Sequence, residues 1–250
     1  MNEAISLAKP VTIAVIADVH YGTASSMPTR RTEIADMLLM RTTSHLNRLV
    51  HPDITLLLGD VLDDGTSCGA EENLWHIRSI LDQLDAPYIA VPGNHDGDVD
   101  SFYRVFTRPK HVEDICGVRF VPFLDREEPG YNAHRSAKDL ARLRTVRNGH
   151  PGPIVTLQHV CLFPPGQSLA PYNYTNADEV ITAMKEANVL LSLSGHYHRG
   201  AEDTRDGNIT FVNAPGLCEA PFPFIVVRID EGQIQSQRHE LGMPALAPGI

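Results

Sequence analysis

Five short apolar runs, each stopping abruptly at a cluster of aspartate, asparagine or histidine, constrain this chain more than any other feature. Val11 to Ala17 ends at Asp18-Val19-His20, and Ile54 to Leu58 ends at Gly59-Asp60. Tyr88 to Val91 ends at Pro92-Gly93-Asn94-His95-Asp96, Ile154 to Leu157 at Gln158-His159, and Val189 to Leu193 at Ser194-Gly195-His196-Tyr197-His198. Runs of this length, rich in β-branched residues and without polar alternation, read as strands buried on both faces. Helical patterns lie between them. Leu74, Ile77, Leu81 and Leu84 form one stripe, and Val180, Ile181 and Met184 form another behind Asn176, an N-cap with Glu179 three residues on. The segment 31–50 also reads as helix. Alternating strands and helices predict an α/β fold with a largely parallel sheet, whose ligand site lies beyond the carboxyl ends of the strands.

After His198 the pattern changes to Ile209 to Val212 and Phe224 to Ile229 with short Gly/Pro turns, which predicts strands joined directly. At 250 residues the chain fits one domain, taken as 1–243, with 244–250 as a loose Pro/Gly-rich tail. The irregular stretch from Pro164 to Tyr174 follows His159 directly and is placed to shape a pocket.

A net charge of -10 argues against a broad basic surface, so nucleic acid is not expected as a partner. An anionic substrate still fits, because bound cations invert the local field. Cys68, Cys116, Cys161 and Cys218 are scattered singly, which predicts reduced thiols rather than a disulfide framework or a zinc knuckle. The start of the sequence lacks a secretory pattern and no apolar run is long enough to span a bilayer, so a cytoplasmic location and no membrane association are expected.

The clusters at the five strand ends supply Asp18, His20, Asp60, Asn94, His95, His159, His196 and His198. Residues two apart in extended backbone project to the same side, so Asp18 and His20 can reach one ion together. Mixed carboxylate, amide and imidazole donors suit manganese, iron or zinc, and the lack of thiolates disfavours a closed structural zinc site.

The ordered series Asp18-Val19-His20, Gly59-Asp60-Val61-Leu62-Asp63, Gly93-Asn94-His95-Asp96, His159 and Gly195-His196-Tyr197-His198 resembles that of the calcineurin-like metallophosphoesterases. That resemblance implies a four-layer α/β/β/α sandwich and two divalent metal ions. One would be held by Asp18, His20, Asp60 and His198, the other by Asp60, Asn94, His159 and His196, with Asp60 bridging. It further implies in-line attack of a metal-bound hydroxide on a phosphate ester, assisted by His95, with Asp63 orienting that imidazole. Asp96 is expected to brace its loop by hydrogen bonds.

Protein phosphatases of this superfamily carry arginine directly after the second aspartate of G-D-x-x-D, where Asp64 stands here. The pattern G-D-x-x-D-x-G is closer to bacterial-type phosphodiesterases acting on cyclic nucleotides or glycerophosphodiesters. A small phosphodiester or nucleotide is therefore the expected substrate, with a phosphomonoester or a non-catalytic scaffold as the alternatives. Tyr172, Asn173 and Tyr174 are expected to pack locally, Tyr197 to point away from the site, and Arg30 and Arg31 to form an exposed helix start. The segment Asn213 to Glu219 borders the site without an assigned role.

Overall fold

The computed structural model describes residues 7–23 and 27–242, so the tail expected at 244–250 lies outside the described residues. The strands are β1 (Val11–Ile16), β2 (Ile54–Leu58), β3 (Tyr88–Val91), β4 (Glu113–Ile115), β5 (Val118–Pro122), β6 (Arg126–Glu128), β7 (Asn132–His134), β8 (Ile154–Leu157), β9 (Leu191–Ser194), β10 (Thr204–Asp206), β11 (Ile209–Asn213), β12 (Pro223–Asp230) and β13 (Gln233–Glu240). The helices are α1 (Ala35–His45), α2 (Ala70–Leu81), α3 (Val99–Val105), α4 (Ala137–Thr145) and α5 (Ala177–Glu186).

Two large sheets form, in the orders β13-β12-β1-β2-β3 and β10-β11-β9-β8-β5-β4, with β6 and β7 as a separate ribbon. The five polar clusters thus leave two sheets rather than one: β1, β2 and β3 in the first, β8 and β9 in the second. The second sheet is parallel at the centre and antiparallel at both edges, whereas the first is parallel from β1 to the β3 edge and antiparallel only through β12 and β13.

Period-two alternation explains how the sheets stack. Val11, Ile13 and Val15 of β1 and Ile54, Leu56 and Leu58 of β2 pack with Val118, Phe120, Val155, Leu157, Leu191 and Leu193 of the second sheet. Ala14, Ile16 and Leu57 face the other way, against Leu38 and Leu39 of α1, Leu74 and Ile77 of α2 and Phe102 of α3. Val121, Ile154 and Phe211 pack outward against Leu140 and Leu143 of α4 and Val180, Ile181 and Met184 of α5. Three apolar interfaces make four layers, α/β/β/α. Central strands are therefore apolar on both faces, each buried aliphatic side chain contributing roughly 1.5–3 kcal/mol.

Leu74, Ile77 and Leu81 of the expected stripe are buried on α2, whereas Leu84 lies past its end and is half-buried. The helix read over 31–50 divides into a short 3-10 turn at Thr32–Ile34, α1, and a wider turn over Leu46–Val50 that ends at His51 with φ 51°. Asn176 precedes α5 but does not cap it. Its amide instead bridges the main chain of Arg135, accepting from the N–H at 3.1 Å and donating to the carbonyl at 3.0 Å. Cys161 and Cys218 are buried, Cys68 and Cys116 exposed, and all four are free. No helix among the described residues is long and apolar enough to cross a membrane.

Candidate metal centre

Past the ends of the strands the backbone turns sharply, with Asp18, His20, Asp60 and His196 at φ of 54°, 50°, 50° and 69°. Aspartate and histidine are among the residue types that tolerate this left-handed region. The side chains of Asp18 and His20 therefore converge through two left-handed residues, not through extended backbone. Main-chain bonds lace the loops together: Asp18 N–H donates to Gly59 O at 3.0 Å, His20 N–H to Asp60 O at 2.9 Å, and Gly195 N–H to His159 O at 2.9 Å.

Gly93 is required by close approach. A Cβ there would collide with Asp60 Oδ1 and the Asp60 amide, and would lie 2.8 Å from the His159 ring. Gly93→Ala is expected to displace Asp60 and weaken manganese binding at least about tenfold, since shifts near 1 Å carry up to about a hundredfold penalty at such sites. Isothermal titration with manganese would check this.

The seven expected ligands come together as two groups that share Asp60. On one side His20 Nε2 lies 3.2 Å from His198 Nε2 and 3.4 Å from Asp60 Oδ2, and His198 Nε2 lies 3.4 Å from Asp18 Oδ1. On the other, His159 Nε2 lies 3.4 Å from Asp60 Oδ2, 3.1 Å from Asn94 Oδ1 and 3.1 Å from His196 Nδ1. Asp18, His20 and Asp60 are almost wholly buried, His159 and His196 nearly so. Candidate ligand atoms of Asp60, His159 and His196 all fall within 4.8 Å of one another, as do those of His20, Asp60 and His95, and of His20, His198 and Cys218.

The outward-facing nitrogens test whether cations fit. His159 Nδ1 donates to Leu58 O at 2.7 Å and His196 Nε2 to Tyr131 O at 2.9 Å. His198 Nδ1 donates to Glu219 Oε1 at 2.9 Å and His20 Nδ1 to Asp63 Oδ1 at 3.1 Å. Carbonyls and carboxylates only accept, so each bond fixes the tautomer and turns the other nitrogen's lone pair inward. Asp18 Oδ1 is buried there without a hydrogen-bond partner. Four inward lone pairs, an orphaned carboxylate oxygen and the shared Asp60 form a donor set suited to two divalent cations.

Without cations, protons do part of that work. Burial lowers the His159 imidazole, but the Asp60 charge outweighs it and raises the group to about 9. Burial likewise opposes, and the Asp18 carboxylate reverses, the shift that takes His198 up to about 12. His196 falls to about 4 through burial and the neighbouring His159 charge. Burial would raise Asp18 and Asp60, yet His198 holds the first down and His159 holds the second well below the usual carboxylate range.

His95 stands edge-on to His20, with ring centroids 4.8 Å apart, and its main-chain N–H donates to Asp60 Oδ1 at 2.9 Å. Its Nδ1 meets Asp63 through the main-chain carbonyl, at 2.7 Å. The expected contact with the Asp63 carboxylate is thus replaced by one with its backbone, because that carboxylate carries His20 and Arg30 instead. Asp96 accepts from the N–H groups of Leu62 and Gly93 at 2.9 and 2.8 Å, and burial, with Asp60 nearby, raises its carboxyl to about 7.

Asn173 clamps Phe163, and Tyr174 bonds Asp125, while Tyr172 sets its ring 4.8 Å from that of His196. Tyr197 packs on the outer face of the second sheet. Arg30, expected to be exposed, is largely buried against Asp63, and its N–H group lies 3.3 Å from His20 Nδ1. Glu219 and the Tyr131 carbonyl had no local signal, since each reaches its histidine from a distant loop.

The sequence profile described as calcineurin-like phosphoesterase matches residues 11–200. A "Probable cyclic nucleotide phosphodiesterase" from Synechococcus is 33% identical over 81 residues, a stretch covering 32% of this chain and 24% of that protein's length. A dimetal phosphatase from Danio rerio shares the fold with a TM-score of 0.68 at 17% identity, over 90% of this chain and 98% of that one. The purple acid phosphatase PPD1 from yellow lupin (Lupinus luteus) seeds aligns with a TM-score of 0.62 at 14% identity, over 93% of this chain and 52% of that one.

Proposed function

The chain belongs to the calcineurin-like phosphoesterase family, and from that premise we propose that it hydrolyses a small phosphodiester or nucleotide using two divalent cations. Asp18, His20, Asp60 and His198 would hold one cation, and Asp60, Asn94, His159 and His196 the other. The metals would be manganese, iron or zinc, and residues 1–243 would act as one cytoplasmic unit. The convergence of four inward imidazole nitrogens on Asp18 and Asp60 supports the proposal most directly. When bound, the cations would supply charge against the phosphate oxygens and acidify an attacking water.

The chain's own groups supply the rest. Asp63 O holds the Nδ1 proton of His95, so a second proton, taken up from solvent at His95 Nε2, is the one that can pass to the leaving oxygen. Beside Asn94 and His159 a cleft of about 260 Å³ opens between Phe123, Leu124, Asp125, Glu127, Val160 and Tyr174. A second esterified arm needs such a recess and a monoester does not. Of its acidic lining residues Asp125 is paired with Arg135 at 2.7 Å and Glu127 is exposed, which favours an uncharged arm. The partial likeness to a probable cyclic nucleotide phosphodiesterase points the same way.

With manganese added, bis(p-nitrophenyl) phosphate is expected to turn over faster than p-nitrophenyl phosphate; the opposite order would make the chain a phosphomonoesterase. His95→Ala should lower kcat about a hundredfold on diesters with alkoxide leaving groups, within the usual range for a lost proton donor. On p-nitrophenyl esters, whose leaving group needs little help, the loss should be smaller.

A further inference from the structure

The two proposed cation positions differ in what holds their histidines. His159 and His196 are fixed by main-chain carbonyls of Leu58 and Tyr131, which no side-chain change removes. His20 and His198 are fixed by the side-chain carboxylates of Asp63 and Glu219. Those two carboxylates are themselves gripped by neighbours on a single loop between β1 and α1. Thr29 Oγ1 donates to Glu219 Oε1 at 3.1 Å, and Arg30 Nη1 donates to Asp63 Oδ1 at 2.9 Å. Each is the very oxygen that takes the histidine proton. The loop is tied down next to them, because Arg31 N–H donates to Cys218 O at 2.9 Å. The Arg30 and Asp63 side chains are only 15% and 12% exposed, so water competes weakly for the contact.

We propose that Thr29 and Arg30 are positioning residues for one cation only, the one at His20 and His198, acting through Asp63 and Glu219. This rests on the two-cation site proposed above. The physical basis is orientation and charge. A carboxylate free to rotate would let its imidazole swing, and the inward nitrogen would lose its aim. Arg30 also offsets one of the two added negative charges behind that position. Among the described residues nothing equivalent reaches Leu58 O or Tyr131 O, whose places are set by β2 and by the turn before β7. The position at His159 and His196 therefore has no share in the loop.

The experiment is a titration of the full chain with manganese alone, followed by electron paramagnetic resonance, on the parent and on the near-isosteric Thr29→Val/Arg30→Met variant. The parent should take two equivalents and give the spectrum of a spin-coupled pair. The double variant should bind one equivalent as before and the second about 10–100-fold more weakly, the usual cost of losing outer contacts to a ligand. At limiting manganese its spectrum should be that of an isolated ion. Arg30→Lys, which keeps one cationic donor for Asp63, should recover most of the weakened affinity. Adding His196→Ala to the double variant should leave no tight equivalent, whereas His196→Ala alone should leave one. Unchanged affinities in the double variant, or an equal fall at both positions, would overturn the positioning role. A parent that binds no manganese would instead defeat the two-cation site itself. Thermal unfolding of each variant identifies any that fails to fold, and Arg30→Lys with Thr29→Ser then takes the place of the apolar pair, with retention of the coupled spectrum expected.

Discussion

Asp60→Ala is expected to reduce phosphodiester hydrolysis about a thousandfold or more and to abolish tight binding at both cation positions together. Asp60 Oδ2 lies 3.4 Å from His20 Nε2 and 3.4 Å from His159 Nε2, and Oδ1 receives the His95 main-chain N–H. Asp18, by contrast, faces an imidazole nitrogen of His198 through Oδ1 at 3.4 Å and meets the other group only through the main-chain N–H of His196, at 2.9 Å. Where an outer contact is worth about 10–100-fold, removing a shared inner ligand compounds the loss over two positions. The variant also strips His159 and His20 of a buried counter-charge, while Leu58 O and Asp63 still hold their outer nitrogens. Metal analysis after gel filtration, together with the diester assay, gives the measurement. A variant that keeps one full equivalent of metal would show that Asp60 serves one position and is not shared. Asn94→Ala, by contrast, touches only the His159 side and should spare the position at His20.

The strand ends were legible because a buried parallel strand leaves a continuous apolar run, and its last residue is marked by the first polar side chain that follows. That rule located β1, β2, β3 and β8 from letters alone. It could not say that β8 belongs to a second sheet, because the evidence lies in β5, where Arg119 interrupts an otherwise apolar VRFVP segment. Which side chains would converge was equally legible, since Asp18, Asp60, Asn94 and the histidines sit at motif positions. What supports them was not. Glu219 lies 21 residues beyond His198, Arg30 lies 33 before Asp63, and no periodicity links such pairs. Asp63 shows the difference most clearly: its motif place was read as a partner for His95, and the fold gives His95 the carbonyl and His20 the carboxylate. Which loops meet at Asp63 decides that exchange, and residue spacing does not record it.

Removal of metal should lower the unfolding temperature by about 10–20 °C at pH 8. Binding at a hundred times Kd is worth about 2.7 kcal/mol per site, or about 5 kcal/mol for two, and for a chain of this size each kcal/mol moves Tm by about 2–4 °C. The gap should also depend on pH, in a direction set by the histidines. In the metal-free protein His159 is raised from 6.5 to about 9 and His198 from 6.5 to about 12. A raised folded-state value means that protonation stabilises the fold fully below about 6.5, and that this contribution is lost as pH climbs through the folded values. Metal-free protein should therefore weaken steadily above about pH 6.5. Cation binding runs the other way, because it needs those same nitrogens unprotonated and gains from their release. The difference between manganese-loaded and chelator-treated samples should widen from pH 6 to pH 9 in calorimetric scans. A gap that is constant or narrows over that range would mean that protons and cations do not compete for the inward nitrogens, and that the metals bind elsewhere.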